Sequence, residues 1–480
     1  MKVLTCYRSM IKKIFQSPTI STWLNFIIKF GGWLFLLPLI LNYFDASMVS
    51  VWMVFQTING ILIIFDLGFN QSFSRSFSYC FGGVEDLQND ESGRLIKSSN
   101  KTNMINWSLM GSIFGTSKRI YFFIALICFV GILIISFWSV DPILYKLQQE
   151  RATYSVILIV ALGSSIKIYG NLFSSFLIGG SRVPLVNNWE SIFGALNLLT
   201  SFLVFYMFHN VYLLLANQQF WFVASVVRNY ILVKKEYPQL VSKPFDKSLF
   251  KIVFKSAWRS AVGIISGYGA VQLSSLLLTR QLSTSELASF LLAFKLVTLI
   301  SDFSRAPFYS RLPELTTLHS RNSTKSFFRI ATKGMNLSLI VFSLAILWVA
   351  FSGDFVLKLL NSDTEFVPTL VWSALGLAFF FERYGAINLQ IYSVSNHILW
   401  HISNGITGIL FIMILYISMG SLLLLAIPFS MILSNLLFYC PYNVWLNVKY
   451  YKINWWKLNS RGPLPIFFLF IVLLAISNLI

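Results

Sequence analysis

Polar and apolar positions along this chain segregate into long blocks. They do not alternate as in a half-buried strand or an amphipathic soluble helix. Crossing the hydrocarbon core of a bilayer takes about 20 predominantly apolar residues. Runs of that kind occur at 20–41, 49–74, 120–138, 152–178, 186–208, 211–231, 260–279, 286–308, 334–353, 366–389, 398–417 and 421–442. Each predicts a transmembrane helix. A further apolar run at 464–480 is only just long enough for a thirteenth. The expected fold is therefore an all-α polytopic membrane protein with about 12 core transmembrane helices. The longest polar connections, 82–119, 234–259 and 310–333, are too short to fold as domains, so function must reside in the helices.

Composition narrows the class further. Of 480 residues, 56% are hydrophobic and 17% aromatic, while 11% are charged. A soluble domain is about a quarter charged, so this chain could not cover its own surface in water. Disorder is excluded by the same apolarity. The 37 Lys and Arg exceed the 18 Asp and Glu, for a net charge of +19, yet a nucleic-acid reader would need a basic soluble face that is not there. Topology accounts for most of the excess. With the N-terminus in the cytoplasm, 28 basic residues fall on the cytoplasmic side. Four (Lys146, Arg151, Arg280, Lys358) fall on the opposite side and five within spans. That bias follows the positive-inside rule.

The first apolar run is too long for a secretory signal and lacks a small-residue cleavage site, so it predicts a first anchor. Ahead of it, Val3, Tyr7, Met10, Ile11 and Ile14 recur at helical spacing among basic residues. The segment fits an interfacial helix or an unstructured basic tail equally. Cys6, Cys80, Cys128 and Cys440 match no metal or redox spacing, and the four histidines form no metal pattern. No metal site and no phosphate-cradling loop is expected. The GxxxG match at Gly111–Gly115 falls in a loop and carries no weight.

Two stretches about 235 residues apart resemble each other. Lys12 and Trp23 are spaced like Lys247 and Trp258. The segment closing at Asp66 parallels the one closing at Asp302. Two six-helix halves, 1–231 and 232–445, followed by an extension 446–480, would enter the membrane from the same side as a parallel repeat, an arrangement found in transporters. Lys247, Lys251, Lys255 and Arg259 recur every four residues ahead of the seventh span. They predict a basic amphipathic helix on the inner leaflet.

Ionisable residues within the predicted spans include Lys29, Lys167, Lys295, Arg305, Arg383, Asp66, Glu190, Asp302 and Glu382. At roughly 3 kcal/mol each on insertion scales, they must be paired or face water. Asp302 and Arg305 are three apart on one helix face and should pair. Glu382 and Arg383 are adjacent and should diverge. Lys29, Lys167 and Lys295 lie near mid-span without an acid three or four positions away. Two readings of these lysines stay open: a cationic, water-filled cavity suited to phosphate or pyrophosphate, or interhelical pairing with Asp66, Glu190 or Glu382. The acids could carry a coupling proton or cation.

The end of the second span reads Phe65-Asp66-Leu67-Gly68-Phe69-Asn70, followed by Arg75, with Asn42-Tyr43-Phe44-Asp45 and Val51-Trp52-Met53-Val54-Phe55-Gln56 upstream. This resembles the first hairpin of polysaccharide transporters of the MOP superfamily, especially Wzx-type O-antigen flippases, with Ser50 in place of the usual glycine. The resemblance implies a MATE-like fold and a bacterial inner-membrane location. It also implies outward translocation, by alternating access, of an undecaprenyl-pyrophosphate-linked oligosaccharide such as an O-antigen unit of lipopolysaccharide. No cofactor or covalent chemistry is implied. The partners would be membrane lipids and glycan-assembly proteins such as a polymerase.

On this reading Lys29, Lys167 and Lys295 attract the anionic cargo, while Asp66 and Arg75 stabilise the cytoplasmic end of the second helix. A proton or sodium ion would couple through Glu190, Asp302 or Glu382, with Arg305 and Arg383 beside them. The alternatives are a cation-coupled exporter of small molecules from the same superfamily and a membrane-embedded glycan polymerase or ligase.

Overall fold

The computed structural model describes residues 18–89, 95–97, 105–147, 150–309, 311–320, 323–359, 364–395, 399–454, 456, 459–460 and 462–479. The basic segment before Pro18, with Cys6 and Lys12, lies outside them. All twelve predicted spans fall on helices. In the first half these are α1 (Pro18–Tyr43), α2 (Ala46–Phe65) with a short continuation α3 (Phe69–Phe81), α4 (Trp107–Leu147), α5 (Glu150–Gly179), α6 (Val183–Phe208) and α7 (Val211–Glu236). The chain continues through α8 (Lys247–Ile264), a π-turn at Ile265–Gly269 and α9 (Ala270–Leu277). It then forms α10 (Thr284–Ser304), two short helices α11 (Ala306–Tyr309) and α12 (Leu312–Ser320), α13 (Thr324–Leu359), α14 (Thr369–Ser393) and α15 (Trp400–Leu422). Last come α16 (Ala426–Ser434), a second π-turn at Asn435–Tyr439, α17 (Cys440–Tyr451) and α18 (Pro463–Ser477). A short antiparallel pairing of Leu87–Asn89 with Leu95–Lys97 is a small exception to the all-α expectation.

Nine helical runs among the described residues are long and apolar enough to cross a membrane, and the chain is a multi-pass membrane protein. One of these runs, Trp400–Tyr451, is two spans. Leu423 has φ 43°, and the Ser418 and Ser430 hydroxyls stand 3.3 Å apart. Twelve residues of unbroken helix would separate them by about 18 Å. The helices begin where the sequence supplies caps. Asn210 accepts from the amides of Tyr212 and Leu213 at 2.8 and 3.3 Å to open α7. Ser283 and Glu286 form a capping box on α10, each satisfying an amide the helix start leaves bare.

The chain divides into two compact units, Met1–Ile40 with Val54–Ile264, and Leu41–Met53 with Ile265–Ile480. In the second, the Ser50 hydroxyl donates to the Thr284 carbonyl at 2.7 Å. The helix α18 packs there on α13 and α14, with Phe470 buried against Phe342 and Phe380. Its 15 residues rise about 22 Å, short of the roughly 30 Å hydrocarbon core.

Four local expectations are corrected. The span predicted over 49–74 is interrupted: Leu67 and Gly68 adopt left-handed φ of 51° and 70°, ending α2 and redirecting the chain into α3. The loop predicted to run to residue 119 is shorter, because α4 starts at Trp107. Gly111 and Gly115 are therefore helical, and their close-packing pattern is used. A Cβ on Gly115 would run into the Lys243 carbonyl oxygen, and one on Gly111 into that of Val241. The glycines form a groove that seats the extended 241–243 backbone, held further by the Lys243 amide donating to the Gly111 carbonyl at 3.1 Å. Finally, the basic helix α8 is continuous with the seventh span. Its apolar face, Leu249, Val253, Ala257 and Ala261, packs on protein, with the Phe254 ring centred 6.4 Å from that of Phe69 on α3.

Candidate functional site

The first unit carries a polar strip through otherwise apolar helices. Lys167, Asn171 and Ser174 stand at i, i+4 and i+7 on α5, hence on one helix face. Lys167 Nζ lies 3.5 Å from Glu190 Oε1 of α6 and donates to Ser225 Oγ of α7 at 3.1 Å. Arg228 of α7 donates to the same Glu190 oxygen at 3.1 Å and to Asn229 Oδ1 at 2.7 Å. Asn229 in turn donates to Ser174 Oγ at 3.0 Å. The Arg228 guanidinium lies 5.1 Å from the centre of the Phe193 ring and the Lys167 ammonium 5.8 Å from that of Phe222, placements that favour cations. For Lys167, then, interhelical pairing is what the structure shows.

Asp66 joins the strip at Asn171, whose amide donates to Asp66 Oδ1 at 2.8 Å. The Tyr121 hydroxyl of α4 donates to the same oxygen at 3.3 Å, and the Asn70 amide donates to Oδ2 at 3.0 Å. The DLGF turn thus works as one device. Gly68 takes the left-handed conformation at a place where a Cβ would press on Ser260 of α8, and Asp66 caps α3 while tying it to α4 and α5. Arg75 stands apart from Asp66, with its Nε donating to the Gln71 carbonyl of its own helix at 3.3 Å.

The second unit has its own set, on α10 and α14. Asp302 and Arg305 form the expected i,i+3 ion pair. Arg383 is fully buried, donates to Ser301 Oγ and lies 3.5 Å from Glu382 Oε2. Adjacency on a helix predicts that these two diverge. They pair because the long arginine side chain folds back over the roughly 100° that separates them on the helix. Lys295 stands two turns before Asp302 on the same face of α10, half-buried, with no ion pair among the described residues. The side chain of Lys29, on α1, lies outside the described residues.

Sequence reasoning missed Tyr121, Asn171, Arg228 and Asn229. Arg228 is grouped with the cytoplasmic charges although the predicted span 211–231 contains it; it lies two turns inside the end of α7 and is only 8% exposed. The signal available for Asn171 was the i, i+4, i+7 polar spacing on α5; Tyr121 and Asn229 lie on α4 and α7, outside that pattern. Among the described residues no group of His, Cys, Asp or Glu could hold a metal ion, and Cys80, Cys128 and Cys440 are free thiols.

Solved structures share this all-helical fold. Lipid II flippase MurJ in an inward closed conformation is similar with a TM-score of 0.63 at 10% identity, over 96% of this chain and 97% of that one. An inward-facing multidrug resistance MATE family transporter of the MOP superfamily gives 0.59 at 10% identity, over 91% and 95%. The MATE multidrug transporter DinF-BH gives 0.57 at 14%, over 91% and 95%. No family profile and no curated protein matches the sequence.

Proposed function

We propose that the protein is a transporter that flips an undecaprenyl-pyrophosphate-linked oligosaccharide, such as an O-antigen repeat unit, outward across the bacterial inner membrane, with its N-terminus in the cytoplasm. The observation that carries this reading is Lys295, an intramembrane ammonium on α10 without an ion-pair partner among the described residues. Its own cluster sets three cations (Lys295, Arg305, Arg383) against two carboxylates (Asp302, Glu382). A protein holds a surplus cation at that depth at a cost of a few kcal/mol. An anionic cargo that is bound and released gives that cost a purpose. Lysine suits the task as a point charge without arginine's fixed fork. The fold shared with a lipid II flippase and the DLGF hairpin support the same choice.

In this scheme Lys295 attracts the pyrophosphate or an acidic sugar, with Lys29 and Lys167 contributing. Glu190, Asp302 or Glu382 couples a proton or sodium ion, and Asp66 and Arg75 stabilise the cytoplasmic turn of the second helix. Glu190 suits coupling because protonating it would release two cations at once. The test is surface-glycan display in cells carrying K29A, K167A or K295A. Loss of display with K295A is expected; wild-type display in all three refutes the cationic-cavity reading.

A second reading, a cation-coupled exporter of small molecules, draws on the MATE likeness and on the charge-balanced strip of the first unit, where Asp66 and Glu190 face Lys167 and Arg228. Growth in a panel of cationic drugs separates the two: resistance that depends on Glu190 but not on Lys295 favours the exporter.

A further inference from the structure

A cavity of about 380 Å³ opens in the first unit between α4, α5, α7 and the 237–242 segment, away from the polar strip. It is within the size range of small-molecule sites. Its walls are aromatic and aliphatic, and two lysines, Lys118 and Lys234, line it. Both are exposed, and neither has an ion-pair partner among the described residues. Lys234 Nζ sits 4.7 Å from the centre of the Tyr230 ring.

Its position is informative. Phe114 and Lys118 immediately precede the apolar run at 120–138, and Lys234 follows the run at 211–231 by three residues. The cavity therefore straddles the level where apolar helix gives way to basic loop, which is headgroup level in a bilayer. Val227 and Tyr230 of its lining are 50% and 40% exposed, so it opens sideways onto the helix surface that lipid covers. The walls are also preformed. Phe173 packs edge-on against Tyr230 at 5.4 Å and lies 6.3 Å from Phe114. Tyr237 is wedged against Phe81 and Phe176 at 5.5 and 5.2 Å and hydrogen-bonds Arg182, itself paired with Glu236 at 3.1 Å.

We infer that this cavity is a binding site for an anionic phospholipid, with the phosphate between Lys118 and Lys234 and part of one acyl chain in the aromatic cleft. Charge complementarity selects the headgroup: each lysine near a membrane surface contributes on the order of 1 kcal/mol toward anionic lipid. Rigid apolar walls select the chain over a free anion. The site is separate from the cargo reading, and its test does not depend on transport.

The experiment uses the full-length protein in nanodiscs containing phosphatidylglycerol with a photoactivatable acyl chain, or phosphatidylcholine with the same chain, and maps adducts by peptide mass spectrometry. Phosphatidylglycerol is expected to label 169–173 and 226–230. Labelling should fall about thirtyfold in K118Q/K234Q and fall as well in V227W, which fills the side opening. Both variants change exposed side chains, and their unchanged melting would confirm that the fold persists. Equal labelling by phosphatidylcholine, or unaltered labelling in K118Q/K234Q, overturns the inference. Displacement of the label by excess inorganic phosphate overturns it too, because the site would then be one for a free anion.

Discussion

Replacing Glu190 with glutamine removes the one carboxylate that Lys167 and Arg228 share, at 3.5 and 3.1 Å. At an effective dielectric of about 20, each contact is worth roughly 5 kcal/mol of gross attraction. Most of that is offset by the desolvation all three groups already bear. Removing one member of such a buried pair typically costs about 3–5 kcal/mol, because the partner charge stays buried alone. Here the lower figure applies. Lys167 is 26% exposed and can turn to water, and glutamine keeps one acceptor oxygen. Arg228, 8% exposed, has no such escape. A loss of about 3 kcal/mol is expected, which in a unit of about 250 residues lowers the unfolding midpoint by about 6 °C.

The assay is thermal unfolding of purified protein in detergent, comparing wild type, E190Q, E190D and E190Q/R228Q. The aspartate should recover more than half the loss by keeping the charge. The double variant should be more stable than E190Q, since it no longer buries an unpaired guanidinium. An E190Q midpoint within about 1 °C of wild type, with no gain in the double variant, would refute the idea that this carboxylate holds the cations.

Three further outcomes follow from particular contacts. Gly115→Ala should push the 241–243 segment off α4, since the added methyl meets the Lys243 carbonyl, and trypsin should then cut at the nearby Lys247 several times faster than in wild type. Gly68→Ala should cost about 1–3 kcal/mol in melting experiments, from the left-handed φ and the press against Ser260; a neutral effect would mean that the DLGF turn is not under that constraint. Asp246, which opens α8, accepts from the Ser248 hydroxyl and the amides of Ser248 and Leu249 at 2.6, 2.8 and 3.3 Å. Those donors hold its carboxyl below the usual carboxylate range. A lowered folded-state pKa stabilises the fold above the unfolded-state value of about 4 and loses that stabilisation as pH falls through the folded-state value. D246N should therefore melt below wild type at pH 7, and the gap should narrow as pH falls below about 4.

The sequence by itself determined the class of molecule and its helix order. An apolar run long enough to span a bilayer must satisfy its own backbone hydrogen bonds, so helix follows from length and apolarity alone. Local pairs were legible for the same reason: Asp302 and Arg305 are neighbours on any helix. So was the importance of Asp66 to Asn70, although the turn's mechanism was not.

What only the tertiary structure decided were contacts set by the packing of separate helices. That Lys167 meets Glu190 depends on which faces of α5 and α6 touch, and no spacing within either helix encodes it. Arg228 is grouped with the cytoplasmic charges for its nearness to the end of the span 211–231, while its burial depends on where α7 sits. The glycines at 111 and 115 looked idle because the segment they seat comes from more than 125 residues later. Periodicity reports what one helix shows to its surroundings; which neighbour supplies the opposite charge is a property of two helices together.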